Sequence, residues 1–142
     1  MASEAVERIT AHILETYGAQ PEFLWARTPN NAVFRHSGTG KWFAALLLDV
    51  PRRSLGLPGE GRADILDLKC GPAMIGSLLD GVRYFPGYHM NKEHWISVAL
   101  DGSVDTEELH ALLAESFART APKKRAPRTK GPAPAKPGGG AG

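Results

Sequence analysis

Cysteine is almost absent. Cys70 stands alone among 142 residues, which excludes an internal disulfide and fits a reducing compartment. Long apolar runs are missing as well. The longest, Trp42 to Leu48, falls far short of the roughly 20 residues that a membrane-spanning helix needs. The segment from Met1 to Arg8 carries charge early and has no apolar stretch, so it is not expected to act as a signal peptide. The protein is therefore expected in the cytoplasm, with association with the nucleoid as an extension of that expectation.

Chemical motifs are equally scarce. His89 and His94 stand five apart, with Cys70, His36 and His110 elsewhere, and none of these spacings is that of a zinc site. The segment Gly56-Leu-Pro-Gly-Glu-Gly61 matches neither the dinucleotide fingerprint nor the P-loop. No carboxylate pair stands out. Cys70 follows the apolar Leu68 closely and reads as a buried thiol rather than a nucleophile. No cofactor, metal or enzymatic activity is expected.

What is present is a charge asymmetry beneath a formal net charge of +2. Residues 121–142 hold six cations (Lys123, Lys124, Arg125, Arg128, Lys130, Lys136) and no acid. Of 17 cations that leaves 11 on the first 120 residues against all 15 acids, a net of −4. The same 22-residue tail has five prolines, five glycines and no aliphatic side chain larger than alanine. Such a composition cannot bury enough surface to offset its ordering entropy. A disordered polycation after a mildly acidic domain points to an acidic polymer as partner, most often nucleic acid.

Ahead of the tail, apolar residues make up a share of the chain (42% overall) that suits one small globular domain. Ser3 can cap a helix over residues 3–17, with Val6, Ile9, Ile13 and Tyr17 along one face and Gly18 and Pro21 ending it. Ala32 to His36 and Lys41 to Val50 read as a hairpin whose connection draws on Gly38 and Gly40. Residues 52–62 read as a long loop and Arg62 to Lys69 as a third strand. In that strand Ala63 and Ile65 point one way and Leu66 and Leu68 the other, which leaves its register open. Pro72 introduces a short helix, Val82 to Tyr88 reads as irregular, and Trp95 to Leu100 is a strand. Ser103 or Asp105 caps a last helix that buries Leu109, Leu112, Leu113 and Phe117. The order α-β-β-β-α-β-α predicts an α+β fold, a mostly antiparallel sheet with helices on one side.

Three segments carry a resemblance. Tyr88 to Ile96, with Asn91-Lys-Glu-His-Trp95 as its most specific part, is joined by Val33-Phe-Arg-His36 with Lys41-Trp-Phe-Ala44, and by Leu68-Lys-Cys70. Together with Tyr17 to Trp25 and the last helix they make residues 3–119 similar to the MmcQ/YjbR family of small bacterial proteins. The resemblance implies a frataxin-like α+β architecture and a DNA-binding role through a double-wing arrangement. It implies no catalytic residue set. An iron site through Glu4, Glu7 and Glu15, which a frataxin-like fold invites, is set aside because acids on an exposed helix face are usually just solvated.

The candidate nucleic-acid residues follow from chemistry. Lys92 offers a phosphate-binding cation, Asn91 a hydrogen-bonding amide, and His89 and His94 rings beside Trp95. Asn91 equally suits a turn, and Trp95 equally suits a core. Arg35 and Lys41 flank the hairpin tip, as a wing against DNA requires, and Arg52 and Arg53 follow the central strand. The six tail cations complete the set. The partner expected is DNA, as duplex with weak sequence preference. A protein- or small-ligand-binding module using the acidic domain surface is the alternative, and a deep pocket beside His89 and His94 would favour it.

Overall fold

Ser3 accepts a hydrogen bond from the Val6 N–H through its hydroxyl and opens helix α1, Glu4–Tyr17. Gly18 closes the helix in the left-handed region (φ 67°), its N–H donating to the Leu14 carbonyl, a conformation that costs a glycine nothing. The structure, a computed structural model, describes residues 3–122. The candidate tail cations from Lys123 to Lys136 lie outside the described residues.

Five strands follow: β1 (Ala32–Arg35), β2 (Trp42–Pro51), β3 (Arg62–Lys69), β4 (Tyr84–Pro86) and β5 (Trp95–Ala99). They form one sheet in the order β1-β2-β3-β5-β4, with every neighbouring pair antiparallel. Helices α2 (Pro72–Leu78) and α3 (Thr106–Thr120) complete an α+β domain. Asp105, not Ser103, caps α3, accepting from the Glu107 N–H. In the hairpin connection only Gly40 takes a positive φ, 75°.

Two stretches differ from the reading of the sequence. Residues 52–62 contain a 3-10 turn, Arg52–Leu55. The stretch read as irregular holds β4, an edge strand paired through Tyr84↔Val98 and Pro86↔Ile96. A three-residue strand has no periodicity to read, and an edge is where a strand tolerates proline.

Side-chain direction sorts the sheet into two faces. Val6, Ile9 and Ile13 of α1, Ile75 of α2, and Leu109, Leu112 and Leu113 of α3 all join one core with Phe34, Leu66, Leu68, Ile96 and Val98. Burying each large side chain contributes roughly 1.5–3 kcal/mol. Phe43 reaches the same core because the β1–β2 register slips, Phe34 pairing with Ala44 and Arg35 with Trp42, so that Phe43 is the extra residue of a bulge. The opposite face buries Leu47, Val50 and Ile65 under Trp25, Leu55 and Tyr88. Both faces of β3 are therefore apolar, which is why its sequence shows no clean alternation.

Candidate nucleic-acid interface

In an antiparallel sheet the end of one strand lies beside the start of the next. Arg35 at the end of β1 pairs with Trp42 at the start of β2, and Lys69 at the end of β3 pairs with Trp95 at the start of β5. The last turns of α3 are pinned to this edge. Ser116 Oγ accepts from the Lys69 N–H at 2.9 Å and donates to the Phe43 carbonyl at 2.5 Å. His36 and Thr120, both buried, are joined at 2.9 Å. The result is a notch of 310 Å³ lined by Lys41, Trp42, Lys69, Trp95, Arg119 and Thr120. Three cations and two indoles meet there, with no acid in the lining.

The notch is held from several sides. The Lys69 ammonium lies 5.9 Å from the centre of the Trp95 ring, within cation–π range. Trp42 is met edge-on by Trp25, with centroids 6.0 Å apart. Arg119 is ion-paired to Glu115 at 2.8 Å. Its guanidinium also lies so close to the Gly71 backbone that a Cβ on Gly71 would come within 2.5 Å of a terminal nitrogen.

The loop joining β4 to β5 carries the other candidates. Asn91 builds the turn: its Oδ1 accepts from the Glu93 N–H at 2.8 Å, and its carbonyl accepts from the N–H groups of His94 and Trp95. Lys92 Nζ donates to the Gly87 carbonyl at 3.0 Å, and the Lys92 side of the loop is exposed. His94 is exposed, and its carbonyl accepts from the Cys70 N–H. His89, in the left-handed region at φ 62°, rests against Tyr88 with ring centroids 4.0 Å apart. It faces a different cavity, 640 Å³, with Trp25, Trp42, Leu47 and Arg62 among its walls. That cavity lies beside His89 but not beside His94.

Arg35 and Lys41 share the notch end of the sheet, but Arg35 gives both Nε and a terminal nitrogen to Glu22 Oε1, at 2.9 and 2.6 Å. Arg52 and Arg53 sit past the opposite end of the ten-residue β2, ~30 Å away at about 3.4 Å per residue. Arg52 Nε is engaged by the Pro58 carbonyl. One compact site cannot hold both groups. Trp42, Lys69 and Arg119 were not singled out from the sequence. Trp42 and Lys69 stood inside the family-like segments, whereas Arg119 carried no signal beyond its charge.

Two further groups have perturbed chemistry. Burial, with Glu115 nearby, pushes the Cys70 thiol up, which favours the unreactive protonated form. Asp67, fully buried on β3, the middle strand of the sheet, accepts from the Ser97 hydroxyl through Oδ1, while its Oδ2 has no hydrogen-bond partner. Burial raises its pKa to about 7 against the opposing pull of Ser97 and Lys92. Among the described residues, no three His, Cys, Asp or Glu side chains gather as a metal site would require. No helix there is long and apolar enough to cross a membrane.

Comparison with known proteins agrees with this architecture. A Bacillus subtilis relative described as uncharacterized protein YyaQ is 42% identical over 111 residues, covering 78% of this chain and 93% of its own. A crystal structure of a Pseudomonas syringae protein superposes with a TM-score of 0.77 at 40% identity, covering 81% of this chain and 97% of that one. The Deinococcus radiodurans protein DR2400 is more distant, with a TM-score of 0.59 at 26% identity, over 79% of this chain and 75% of its own. Residues 14–119 match the YjbR family, and the chain belongs to that family.

Proposed function

We propose that the protein binds DNA without catalysing a reaction, the domain seating on duplex DNA and the tail adding sequence-independent phosphate contacts. One observation carries this reading. The segments Lys41-Trp42-Phe43-Ala44, Leu68-Lys69-Cys70 and Asn91 to Trp95, far apart in sequence, send Lys41, Trp42, Lys69 and Trp95 to a single acid-free notch. Lysine and arginine meet phosphates as positioning contacts, and exposed rings add surface to a sugar or base. The body carries a net charge of −4, so a local concentration of cations is what a polyanion needs from it. On this reading the tail cations each neutralise a phosphate and confer affinity without base selection. The proposed setting is the cytoplasm, at the nucleoid.

Fluorescence anisotropy on labelled duplex across a salt series tests the proposal, comparing the full chain with one ending at Pro122. The full chain is expected to show a log–log salt slope steeper by up to about 5, from six cations at ~0.9 each. The shorter chain should keep measurable affinity at low salt, weakened by Lys41→Ala and Lys69→Ala. A shorter chain that fails to bind even at low salt would remove the domain from the interface.

A second reading is favoured by a specific feature. A 700 Å³ groove beside α1 is lined by apolar Val6, Leu14, Phe23 and Leu48 and by the acids Glu7, Asp49 and Asp64, with no cation. It suits an apolar ligand or peptide with positive charge. A thermal-shift screen with cationic amphiphiles tests it, and melting points unmoved across the series would count against it.

A further inference from the structure

The two indoles of the notch ask for a ligand that a stacked duplex does not offer. We infer that the notch receives one unstacked nucleotide, its base against the Trp42 and Trp95 surfaces and its phosphate among Lys41, Lys69 and Arg119. The inference rests on the DNA-binding reading above and deepens it. The preferred DNA becomes a single strand, or a duplex ending in one.

Three features carry it. The first is size: 310 Å³ lies at the lower end of small-ligand sites, room for a single nucleotide and too little for a double helix. The second is composition. Duplex DNA shows phosphates and groove edges while the faces of its bases stay within the stack, so two rings opening on a notch add little to contacts with phosphate alone. Trp42 and Trp95 are only partly buried, unlike Phe34, Phe43 and Phe85, which the core absorbs. Base–indole stacking tolerates any sequence because every base has a π face.

The third feature is preorganisation. Trp95 is fixed by the β5 register and by Gly87, whose N–H donates to the Trp95 carbonyl at 3.1 Å. Gly87 packs so closely that a Cβ there would stand 2.7 Å from Trp95 Cβ. Trp42 is braced by Trp25, Lys69 is aligned over the Trp95 ring, and Arg119 is seated on Gly71. Rings and cations held in place before binding lose little entropy when a ligand arrives.

Anisotropy with the full chain at one salt concentration tests this, using a short labelled oligodeoxynucleotide, the blunt duplex of the same sequence, and that duplex with a single-stranded overhang. The strand and the overhang are expected to bind roughly tenfold or more tighter than the blunt duplex, the range of one stacked base. Trp95→Leu and Trp42→Leu should erase that difference between strand and blunt duplex, with Trp42→Phe retaining most of it. Indole fluorescence of the unmodified protein gives a readout independent of how the variants fold: the strand should quench it at saturation, and the blunt duplex should not. A nucleoside monophosphate arm separates the sources. Strong competition by the monophosphate assigns the site to free nucleotides, and weak competition assigns it to strands. Equal affinity for strand and blunt duplex, with unchanged indole emission, overturns the inference while the DNA-binding reading stands. Failure of every DNA form to bind overturns both.

Discussion

His36 Nε2 and Thr120 Oγ1 lie 2.9 Å apart, 84 residues distant in sequence and both buried. The Thr120 hydroxyl also donates to the Ser116 carbonyl at 2.8 Å. With that proton committed, the His36 ring is the donor and carries its hydrogen on Nε2. The pair ties the β1–β2 connection to the last turn of α3. A domain boundary drawn at residue 119 would sever it, so the cut belongs after Pro122.

Shortening the chain to Arg119 is therefore expected to destabilise the domain by about 1–3 kcal/mol relative to a chain ending at Pro122, the cost of leaving a buried polar group unpaired. Thr120→Val in the chain ending at Pro122 should reproduce most of that loss. Urea unfolding followed by circular dichroism measures both, and equal midpoints for the two chain lengths would contradict the prediction.

Asp67 predicts an unusual dependence on pH. Its folded pKa of about 7 stands above the ordinary carboxylate value of 3.8. Between those values the folded state holds more protons than the unfolded one, so stability falls as pH rises through the window. The loss from this group is on the order of 4 kcal/mol at most, at 1.36 kcal/mol per unit. Asp67→Asn should be more stable than the parent at pH 8 and show no gain near pH 4. A parallel stability profile for the two proteins across that range would refute the assignment.

His12 acts in the opposite sense. Its ring stacks on His110 with centroids 3.5 Å apart and planes 5° from parallel, joining α1 to α3. Burial first, and then His110, lowers its pKa, against the upward pull of Glu15. The folded state resists its protonation, so this contribution is present above the unfolded value of 6.5 and is lost as pH falls below it. Thermal melts of Asp67→Asn at pH 7 and pH 5 isolate the effect: the melting point should drop on acidification, and His12→Gln should flatten the drop.

Two glycines offer a contrast. A Cβ at Gly87 would meet Trp95 Cβ at 2.7 Å and the Trp95 backbone oxygen at 2.9 Å, neither of which can swing away. Gly87→Ala should thus cost about 1–3 kcal/mol, the typical penalty of overpacking. At Gly71 the obstacle is the tip of the Arg119 side chain, and its backbone (φ −70°) suits any residue. Gly71→Ala should leave the melting point nearly unchanged while weakening DNA binding through a displaced guanidinium. Equal destabilisation by the two variants would show that Arg119 cannot yield.

Much of the local structure was legible because its causes are local. Ser3, Gly18, Pro72 and Asp105 mark helix ends by hydrogen bonds and dihedral limits within a few residues. The stripes Val6-Ile9-Ile13 and Leu109-Leu112-Leu113 predicted the buried helix faces, and the nearly continuous apolar run of β2 and the Trp95 to Leu100 segment predicted the sheet. β4 was missed because its three residues are strand only by virtue of β5 beside them.

The candidate site was only partly legible. Lys41 and Lys92 stood out by charge, but Arg35 proved to be paired with Glu22, and Asn91 spends its groups on a turn. The charge split between body and tail, the helix caps and the buried stripes were determined by the sequence itself, since each depends on residues near one another in the chain. The meeting of Lys41, Trp42, Lys69, Trp95 and Arg119 was decided by the tertiary structure alone. Antiparallel pairing sets which strand ends coincide, and the Ser116 and Thr120 hydrogen bonds set where α3 stops over them; neither leaves a mark in local composition or periodicity.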